Sequence, residues 1–218
     1  MTSLLDTPVT LIVILVALSL LPLLVIIGTS FLKISVVFSM LRNALGIQQV
    51  PPNMAIYGLS LILTCFIMAP IMMDVTEVIQ KNQQGDTRID IFTPEVAEQI
   101  IAPYRNFVKK HAHPKDVLYF TNVSKRIWPE KYQKDISDDS LFVLMPSFAI
   151  SQLSEAFKIG LLLYLPFVAI DLIVSNILLA MGMMMVSPMT ISLPFKILIF
   201  ILVGGWQKLI SQLLISYI

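Results

Sequence analysis

Long apolar runs alternate with one charge-rich segment along this chain of 218 residues. Residues 7–32 and 54–73 carry no charged side chain, and residues 159–218 are again mostly apolar. A helix needs about 20 apolar residues to cross the hydrocarbon core of a bilayer. The pattern therefore predicts an all-α chain, in which membrane-type helical hairpins flank an inserted helical lobe.

The first predicted domain, residues 1–73, is an apolar helical hairpin. Pro22 is expected to kink its first helix, because proline removes a backbone donor and clashes with the preceding turn. Pro51, Pro52 and Asn53 are expected to form the turn of the hairpin, since proline also restrains the residue before it. The second helix of the hairpin then runs up to Asp74.

Two basic residues predict the orientation of the chain in the membrane. Lys33 and Arg42 lie in a short segment that contains no acidic residue. The positive-inside rule places such a segment in the cytoplasm. The lobe of residues 74–158 is then expected on the extracytoplasmic side.

The second predicted domain is this lobe, which contains 23 of the 29 charged side chains. Thr93, Pro94 and Glu95 have the order of an N-cap, a first helical position and an acidic first turn. The lobe shows no sustained alternation of apolar and polar residues with a period of two, so we expect helices and no strands. Its prolines at positions 103, 114 and 129 are expected to divide it into short helices.

The third predicted domain, residues 159–218, is an apolar hairpin that is broken near its middle. The 24 residues between Asp171 and Lys196 carry no charge, and the midpoint falls within a run of methionines. We expect the chain to turn there, with Gly182 and Pro188 as hinges, because both residues interrupt a helix. The turn brings Asp171 and Lys196 to the same level, where an ion pair avoids the cost of two isolated buried charges.

Met183, Met184 and Met185 form the tip of this predicted hairpin. Methionine is unbranched and polarizable, so its side chain adapts to irregular surfaces. The alternative is that these residues only fill a core. The tip position and the flanking charges favour a functional role.

Composition supports a membrane protein. The chain is 56% hydrophobic and 13% charged, whereas soluble domains carry about 25% charged residues. A net charge of +1 predicts no binding to nucleic acid. The single cysteine, Cys65, excludes an internal disulfide. A cleaved signal peptide has a short apolar run that follows a basic flank. Here the first apolar run is longer and no basic residue precedes it, so we predict no cleaved signal peptide.

The residues show no arrangement that predicts catalysis. His111 and His113 are separated by one residue, but a zinc site needs three or four ligands and no cysteine or carboxylate cluster accompanies them. Solvated loop histidines are the alternative. No phosphate-binding loop, dinucleotide-binding turn or nucleophile elbow is present. We therefore predict that the protein is not an enzyme and binds no metal and no cofactor.

Further ionisable residues lie in or beside the apolar runs: Lys33, Arg42, Glu155, Lys158 and Lys208. A charged side chain in mid-membrane costs roughly 2.5–3.5 kcal/mol. We expect these five residues to make polar contacts between subunits or to line a wet cavity. The alternative is that the long side chains of Lys33 and Lys208 reach the membrane surface.

Short motifs in residues 20–73 and 145–218 carry a family resemblance, whereas the lobe between them carries none. The motifs are Gly28-Thr-Ser-Phe-Leu-Lys33, Arg42-Asn-Ala-Leu-Gly46, Pro51-Pro52-Asn53, Ala156-Phe-Lys-Ile-Gly160, Leu165-Pro-Phe167, Ile170-Asp171-Leu172, Leu179-Ala-Met-Gly-Met-Met-Met185, Ser187-Pro188 and Leu193-Pro-Phe-Lys196. In this order they resemble the FliP/SctR family, the core export-gate proteins of flagellar and injectisome type III secretion systems.

The resemblance implies a pore subunit without enzymatic activity. Family members form a ring of five copies that is joined by two other small hydrophobic export-apparatus proteins. The helical assembly encloses an axial channel for unfolded secreted proteins. It lies at the centre of the basal body, at the bacterial inner membrane and its periplasmic face. The family's methionine loop surrounds the channel as a gasket, and here that loop is Met183, Met184 and Met185.

Two departures from the flagellar pattern favour the injectisome branch. Flagellar members usually begin with a cleavable signal sequence, and they tend to carry an acid where this chain has Gln152. The stretch Gly46-Ile-Gln-Gln-Val-Pro51 also favours that branch.

The alternative function is a solute or ion transporter that uses Asp171 and Lys196 as a coupling pair. Broken helices are typical of transporters, but the internal repeat that many of them show is not visible here.

Overall fold

The computed structural model describes residues 8–47, 50–83, 94–133 and 137–218. These residues form α-helices and short connections, without a strand among them. The helices are α1 Pro8–Gly28, α2 Phe31–Leu45, α3 Asn53–Gln83, α4 Pro94–His111, α5 Pro114–Ile127, α6 Glu130–Gln133, α7 Leu141–Ala180, α8 Pro188–Leu202 and α9 Gly205–Ile215. The predicted all-α fold is confirmed.

Helices α3 and α7 are each long and apolar enough to cross a membrane. Two helix pairs, Leu18–Gly28 with α2 and α8 with α9, are long and apolar enough when taken together, and they bend by 65° and 61° at short breaks. Within the described residues there are thus two candidate spans, or up to four if each bent pair is one span. The predicted membrane-type character of the helices is confirmed.

A sharp bend lies after Gly28, while the predicted kink at Pro22 stays a prediction. Helix α1 continues through Pro22, and the 65° turn separates Gly28 from Phe31. The hydroxyl of Tyr104 in α4 donates to the carbonyl oxygen of Gly28 at 2.9 Å. This bond satisfies one of the acceptors that a helix end leaves free. A contact from α4 therefore supports the bend, and such a contact is not visible in the local sequence.

Helix α7 is continuous over 40 residues and includes Pro146, Gly160 and Pro166. Each proline removes one hydrogen bond, and the many turns on either side keep the helix intact. By length and composition, α7 is a candidate membrane span. Because α3 crosses residue 73 and α7 crosses residue 158, the predicted domain boundaries coincide with no helix end. The division into three domains stays a prediction.

The prolines of the lobe act in different ways. Pro94 begins α4, as expected, while its predicted N-cap Thr93 lies outside the described residues. Pro103 lies within α4 and does not divide it. Pro114 begins α5, and Pro129 lies between α5 and α6. Proline is tolerated at the first turn of a helix because its missing donor has no partner there.

Helix α2 forms the centre of the core, since it packs against α7, α3 and α8. Its side chains are buried at spacings of three and four residues, which is the pattern of one helix face. The buried set includes Lys33, Ile34, Val37, Phe38, Leu41, Ala44 and Leu45. Close approach to α7 depends on Gly160, because a Cβ atom at this position would lie 2.2 Å from the sulfur of Met40.

A second apolar cluster joins the lobe to α7. Its buried residues are Phe107 and Val108 of α4, Ala112 just after α4, Leu144 and Phe148 of α7, and Tyr217 after α9. The rings of Phe107 and Tyr217 are nearly parallel, with their centroids 6.2 Å apart. This cluster holds α4 beside α7 and so positions the polar side chains that lie between them.

Candidate functional site

Helix α7 ends just before the methionine loop, and two backbone hydrogen bonds close this helix end. The N–H of Gly182 donates to Leu179 O at 3.0 Å, and the N–H of Met183 donates to Leu178 O at 2.9 Å. These two bonds define a Schellman motif, which requires a left-handed residue at its centre. Gly182 supplies it with a φ of 74°. Pro188 then begins α8, so the two predicted hinge residues bracket the loop.

The methionine side chains at the tip of the loop are exposed in the single chain. The exposed fractions of Met183, Met184 and Met185 are 41%, 80% and 101%. Met181 and Met189, which flank the loop, are also exposed. A contiguous apolar patch of this kind marks a surface that interacts with another molecule. The methionines therefore do not fill the core of the single chain.

Asp171 of α7 and Lys196 of α8 meet below this loop. The lysine ammonium lies 2.6 Å from one carboxylate oxygen, with side-chain exposures of 30% for the aspartate and 3% for the lysine. Ser192 of α8 donates to the other carboxylate oxygen at 2.5 Å. Ser192 and Lys196 lie one helical turn apart, so they face the same partner. Both carboxylate oxygens are therefore occupied within one chain.

Lys196 also binds the end of α2. Its ammonium donates to the carbonyl oxygen of Ala44 at 3.3 Å, and Ala44 is the last residue but one of α2. The last carbonyls of a helix lack partners inside the helix, and a cation there is favourable. Sequence reasoning missed Ala44 and Ser192. The four-residue spacing of Ser192 and Lys196 was a usable signal for the serine, while nothing in the sequence pointed to the Ala44 carbonyl.

A second buried ion pair joins α2 to α7. The Lys33 ammonium lies 2.5 Å from Glu155 Oε2, and His113 Nε2 lies 3.2 Å from Glu155 Oε1. Lys33 is 1% exposed, so its side chain does not reach the surface of the chain as the alternative interpretation required. Lys33 and Glu155, which we expected to contact other subunits, bind each other within one chain.

The end of the chain covers this ion pair. The Tyr217 ring centroid lies 4.6 Å from the Lys33 ammonium, and its hydroxyl donates to Gln152 Oε1 at 2.6 Å. Burial raises the pKa of Tyr217, so its hydroxyl remains a donor. The amide nitrogen of Gln152 donates to His111 O at 3.0 Å. The uncharged Gln152 thus links α4, α7 and the segment after α9.

The two histidines have separate surroundings. His111 packs between the rings of Phe107 and Tyr217, at centroid distances of 4.7 and 5.2 Å. Burial, assisted by the charges of Lys110 and Lys33, lowers the pKa of His111. His113 contacts Glu155. They are therefore not solvated loop histidines, and the described residues contain no group of three or more side chains that could hold a metal ion.

The other predicted polar residues lie on the surface of the chain. Arg42 Nη1 donates to Asn53 Oδ1 at 2.5 Å and to Pro51 O at 3.4 Å, so the predicted turn residues are its partners. Lys158 and Lys208 are exposed. Lys208 lines an apolar cavity of about 490 Å³ between α7, α8 and α9. A role of these three cations between subunits stays a prediction.

Comparison with known proteins identifies relatives over nearly the whole chain. A family model described as the FliP family matches residues 14–213. The virulence protein YscR of Salmonella typhimurium is 57% identical over 215 residues, which cover 99% of each chain. The Yop proteins translocation protein R of Yersinia pestis is 51% identical over 96% of each chain. The harpin secretion protein HrcR of Erwinia amylovora is 43% identical over 97% of each chain.

Proposed function

The chain belongs to the FliP family, and we propose that it is a channel-forming subunit of the export gate of a type III secretion system. The resemblance predicted from the sequence motifs is thereby confirmed. Members of this family are structural components of the export apparatus and not enzymes. The role in secretion and the membrane location follow from the family and from the apolar helices. The channel itself is our proposal.

The exposed methionine loop is the observation that carries this proposal. Its three methionines extend from a helical hairpin whose base is held by the Asp171–Lys196 ion pair. A secretion channel must pass unfolded chains of any sequence and still hold back ions when idle. Methionine has three rotatable bonds and a polarizable sulfur, so a collar of such side chains adapts to each passing segment. An apolar constriction also tends to lose its water, which blocks ions.

Exposed apolar helix faces support an assembly with other chains. Exposed residues along α7 and α8 include Leu161, Leu162, Leu165, Leu172, Phe195 and Leu198. Faces of this kind fit a ring of five copies and two other small hydrophobic export-apparatus subunits, as the family resemblance implies. In that ring the five loops would converge on the axis, where unfolded secreted proteins pass.

The proposed location is the bacterial inner membrane and its periplasmic face, at the centre of the secretion basal body. The basic residue Arg42, in the last turn of α2, supports a cytoplasmic position for the α2–α3 connection, whereas the buried and paired Lys33 does not bear on it. The charged helices α4 to α6 would then lie on the extracytoplasmic side and contact neighbouring copies. Cysteines placed in these helices that react only with a cytoplasmic label would contradict this orientation.

The alternative function, a transporter with Asp171 and Lys196 as a coupling pair, is not retained. Family membership assigns the chain to secretion. In addition, both oxygens of Asp171 are bound, by Lys196 and by Ser192. A coupling site needs a charge that is free to bind a transported ion, and this carboxylate is already paired with a buried lysine of the same chain.

A photo-crosslinking experiment tests the channel. We would place a photoreactive amino acid at Met185 in assembled complexes and arrest a secreted protein during export. The proposal predicts a cross-link from position 185 to the secreted chain. Met73, which is 68% exposed on α3, is the matched control position and is expected to give none. Equal cross-linking at both positions in intact complexes would contradict the proposal, as would its absence at position 185.

Particle images of the extracted complex test the assembly separately. The proposal predicts a five-fold ring that contains two additional small hydrophobic proteins. A stable monomer or dimer of this chain, isolated under conditions that keep the rest of the apparatus together, would contradict it.

A further inference from the structure

A polar cavity and an apolar groove meet beside the connection between α2 and α3. The cavity has a volume of about 650 Å³, and its lining includes Arg42, Asn43 and Asn53. An apolar cavity of about 120 Å³ shares Arg42 and Ile47 with its lining. A second apolar cavity, of about 210 Å³, shares lining residues with the first apolar one. We call these three neighbouring cavities, polar at one end and apolar at the other, the Arg42 cleft.

The apolar end of the cleft extends along α3. Phe38 and Trp206 line both of its apolar cavities, with their ring centroids 6.0 Å apart. Ile56 and Leu59, within the first two turns of α3, line the far end. Its surface there is entirely apolar. A hydrocarbon chain fits such a groove, because apolar surface is removed from water on both sides.

Arg42 leaves a positive charge at the polar end without an acidic partner. Its two hydrogen-bond acceptors, the Asn53 amide oxygen and the Pro51 carbonyl, are neutral. Arg42 takes part in none of the ion pairs found among the described residues. A guanidinium has five N–H donors in a fork that matches a phosphate group. The nearby ammonium of Lys196 is already paired with Asp171.

The position of the cleft along the membrane helix indicates the source of the phosphate. Asn53, which lines the polar end, is also the first residue of the candidate span Asn53–Lys81. The end of an apolar helix lies at the level of the lipid headgroups, and the apolar part of the cleft continues toward the hydrocarbon core. Basic pockets between membrane helices are known to bind lipid headgroups.

We propose that the Arg42 cleft binds one anionic phospholipid. The phosphate contacts the guanidinium of Arg42 in the polar cavity, and part of one acyl chain lies against Leu59 and Trp206. A free phosphate would occupy only the polar end, and an uncharged lipid only the apolar end. The inference depends on the membrane location of the chain and not on its proposed function as a channel.

Tryptophan fluorescence tests this site. The full chain in detergent carries Trp128→Phe, so that Trp206 is the remaining one of its two tryptophans. Phosphatidylglycerol with brominated acyl chains, which quench tryptophan on contact, is added in increasing amounts. We expect saturable quenching. Arg42→Gln is expected to raise the half-quenching concentration by roughly tenfold, since it removes a charge-assisted hydrogen bond. Arg42→Lys keeps the charge and is expected to recover part of the affinity.

Three comparisons decide the outcome. Arg126→Gln, at an exposed arginine of α5 outside the cleft, is expected to bind like the parent. Diacylglycerol with the same brominated chains is expected to require a concentration at least roughly tenfold higher. Inorganic phosphate equimolar with the lipid is expected to leave the quenching unchanged.

Other results would overturn the proposal. Equal affinities of the parent and the Arg42→Gln variant, with equal melting temperatures without lipid, would exclude a role of the guanidinium. Equal binding of diacylglycerol would indicate a purely apolar groove. Displacement of the lipid by equimolar phosphate would indicate a site for free phosphate. Quenching without saturation would indicate only the bulk lipid around the protein.

Discussion

The ammonium of Lys33 and a carboxylate oxygen of Glu155 lie 2.5 Å apart, although 122 positions separate the two residues in the sequence. The lysine is 1% exposed, and the glutamate is 29% exposed. Tyr217 covers the ammonium from one side. The pair therefore joins α2 to α7, and loss of the glutamate would leave the buried ammonium of Lys33 without its counter-charge.

Glu155→Ala is expected to lower the free energy of unfolding by about 3–5 kcal/mol, because it leaves a buried lysine without a counter-charge. The double variant Lys33→Met and Glu155→Leu is expected to lose much less, since no charge remains buried. Chemical unfolding in detergent measures both. The exposed pair Glu77 and Lys81 on α3 provides the control, and Glu77→Ala is expected to have no measurable effect. A Glu155→Ala variant as stable as this control would contradict the prediction.

Asp171→Ala is expected to reduce the amount of assembled complex, because Lys196 at 3% exposure loses its counter-charge. Ser192→Ala, which removes only the second bond to Asp171, is expected to destabilise the chain by about 1 kcal/mol. A charge swap between positions 171 and 196 is expected to restore assembly only in part. The reason is that an acid at position 196 would face the Ala44 carbonyl. Native gel electrophoresis of membrane extracts measures assembly, and normal assembly of both single alanine variants at positions 171 and 196 would show that the pair is not structural.

Gly160→Val is expected to destabilise the chain by roughly 1–3 kcal/mol through overpacking, because a Cβ atom would lie 2.2 Å from the Met40 sulfur. Met40→Ala in the same chain is expected to recover part of this loss. Gly58→Ala is the matched control in a helix, since no atom lies within 4 Å of its Cβ position. Alanine favours a helix by about 1 kcal/mol over glycine, so this variant is expected to be at least as stable as the parent. Thermal unfolding in detergent compares the three, and equal destabilisation at both glycines would contradict the role of Met40.

The stability of the lobe is expected to fall as the pH falls below about 6.5, the ordinary pKa of histidine. The pKa of His111 is lowered in the folded chain, chiefly by burial. Below pH 6.5 the His111 imidazole is therefore protonated more readily in the unfolded chain than in the folded chain. Acid thus shifts the equilibrium toward the unfolded chain. At pH 8 the imidazole is neutral in both states and this contribution vanishes. His111→Phe is expected to flatten the dependence of the melting temperature on pH, and a profile parallel to that of the parent would contradict this assignment.

Replacement of Met183, Met184 and Met185 by alanine is expected to leave the complex assembled but permeable to small ions. Shorter side chains widen the proposed collar and allow water to fill it. Secretion is expected to persist, because a wider opening still passes an unfolded chain. Conductance across membranes that carry assembled complexes measures the leak. The same replacement at Met54, Met72 and Met73, which are exposed on α3, is the matched control. Equal conductance of the parent and the loop variant would contradict the collar and would favour a packing role of the three methionines.

Local patterns in the sequence determined the helical class, the membrane-type apolar lengths and the family. They also indicated where the last hairpin turns, because Gly182 and Pro188 act on the backbone within a few residues of their own positions. The charges at Asp171 and Lys196 are equally far from that turn along the chain. A symmetric hairpin therefore brings them together without any information from the rest of the fold.

The partners of Lys33 and the second acceptor of Lys196 depended on the packing of distant helices. Lys33 was expected to reach the membrane surface or another subunit, but α7 supplies Glu155 from 122 positions away. Lys196 finds the Ala44 carbonyl across 152 positions. Hydrogen bonds within a helix and its apolar period act over about four residues, so they specify each helix and its buried face. They do not specify which distant face lies opposite, and the partners of Lys33 and Lys196 depend on that choice.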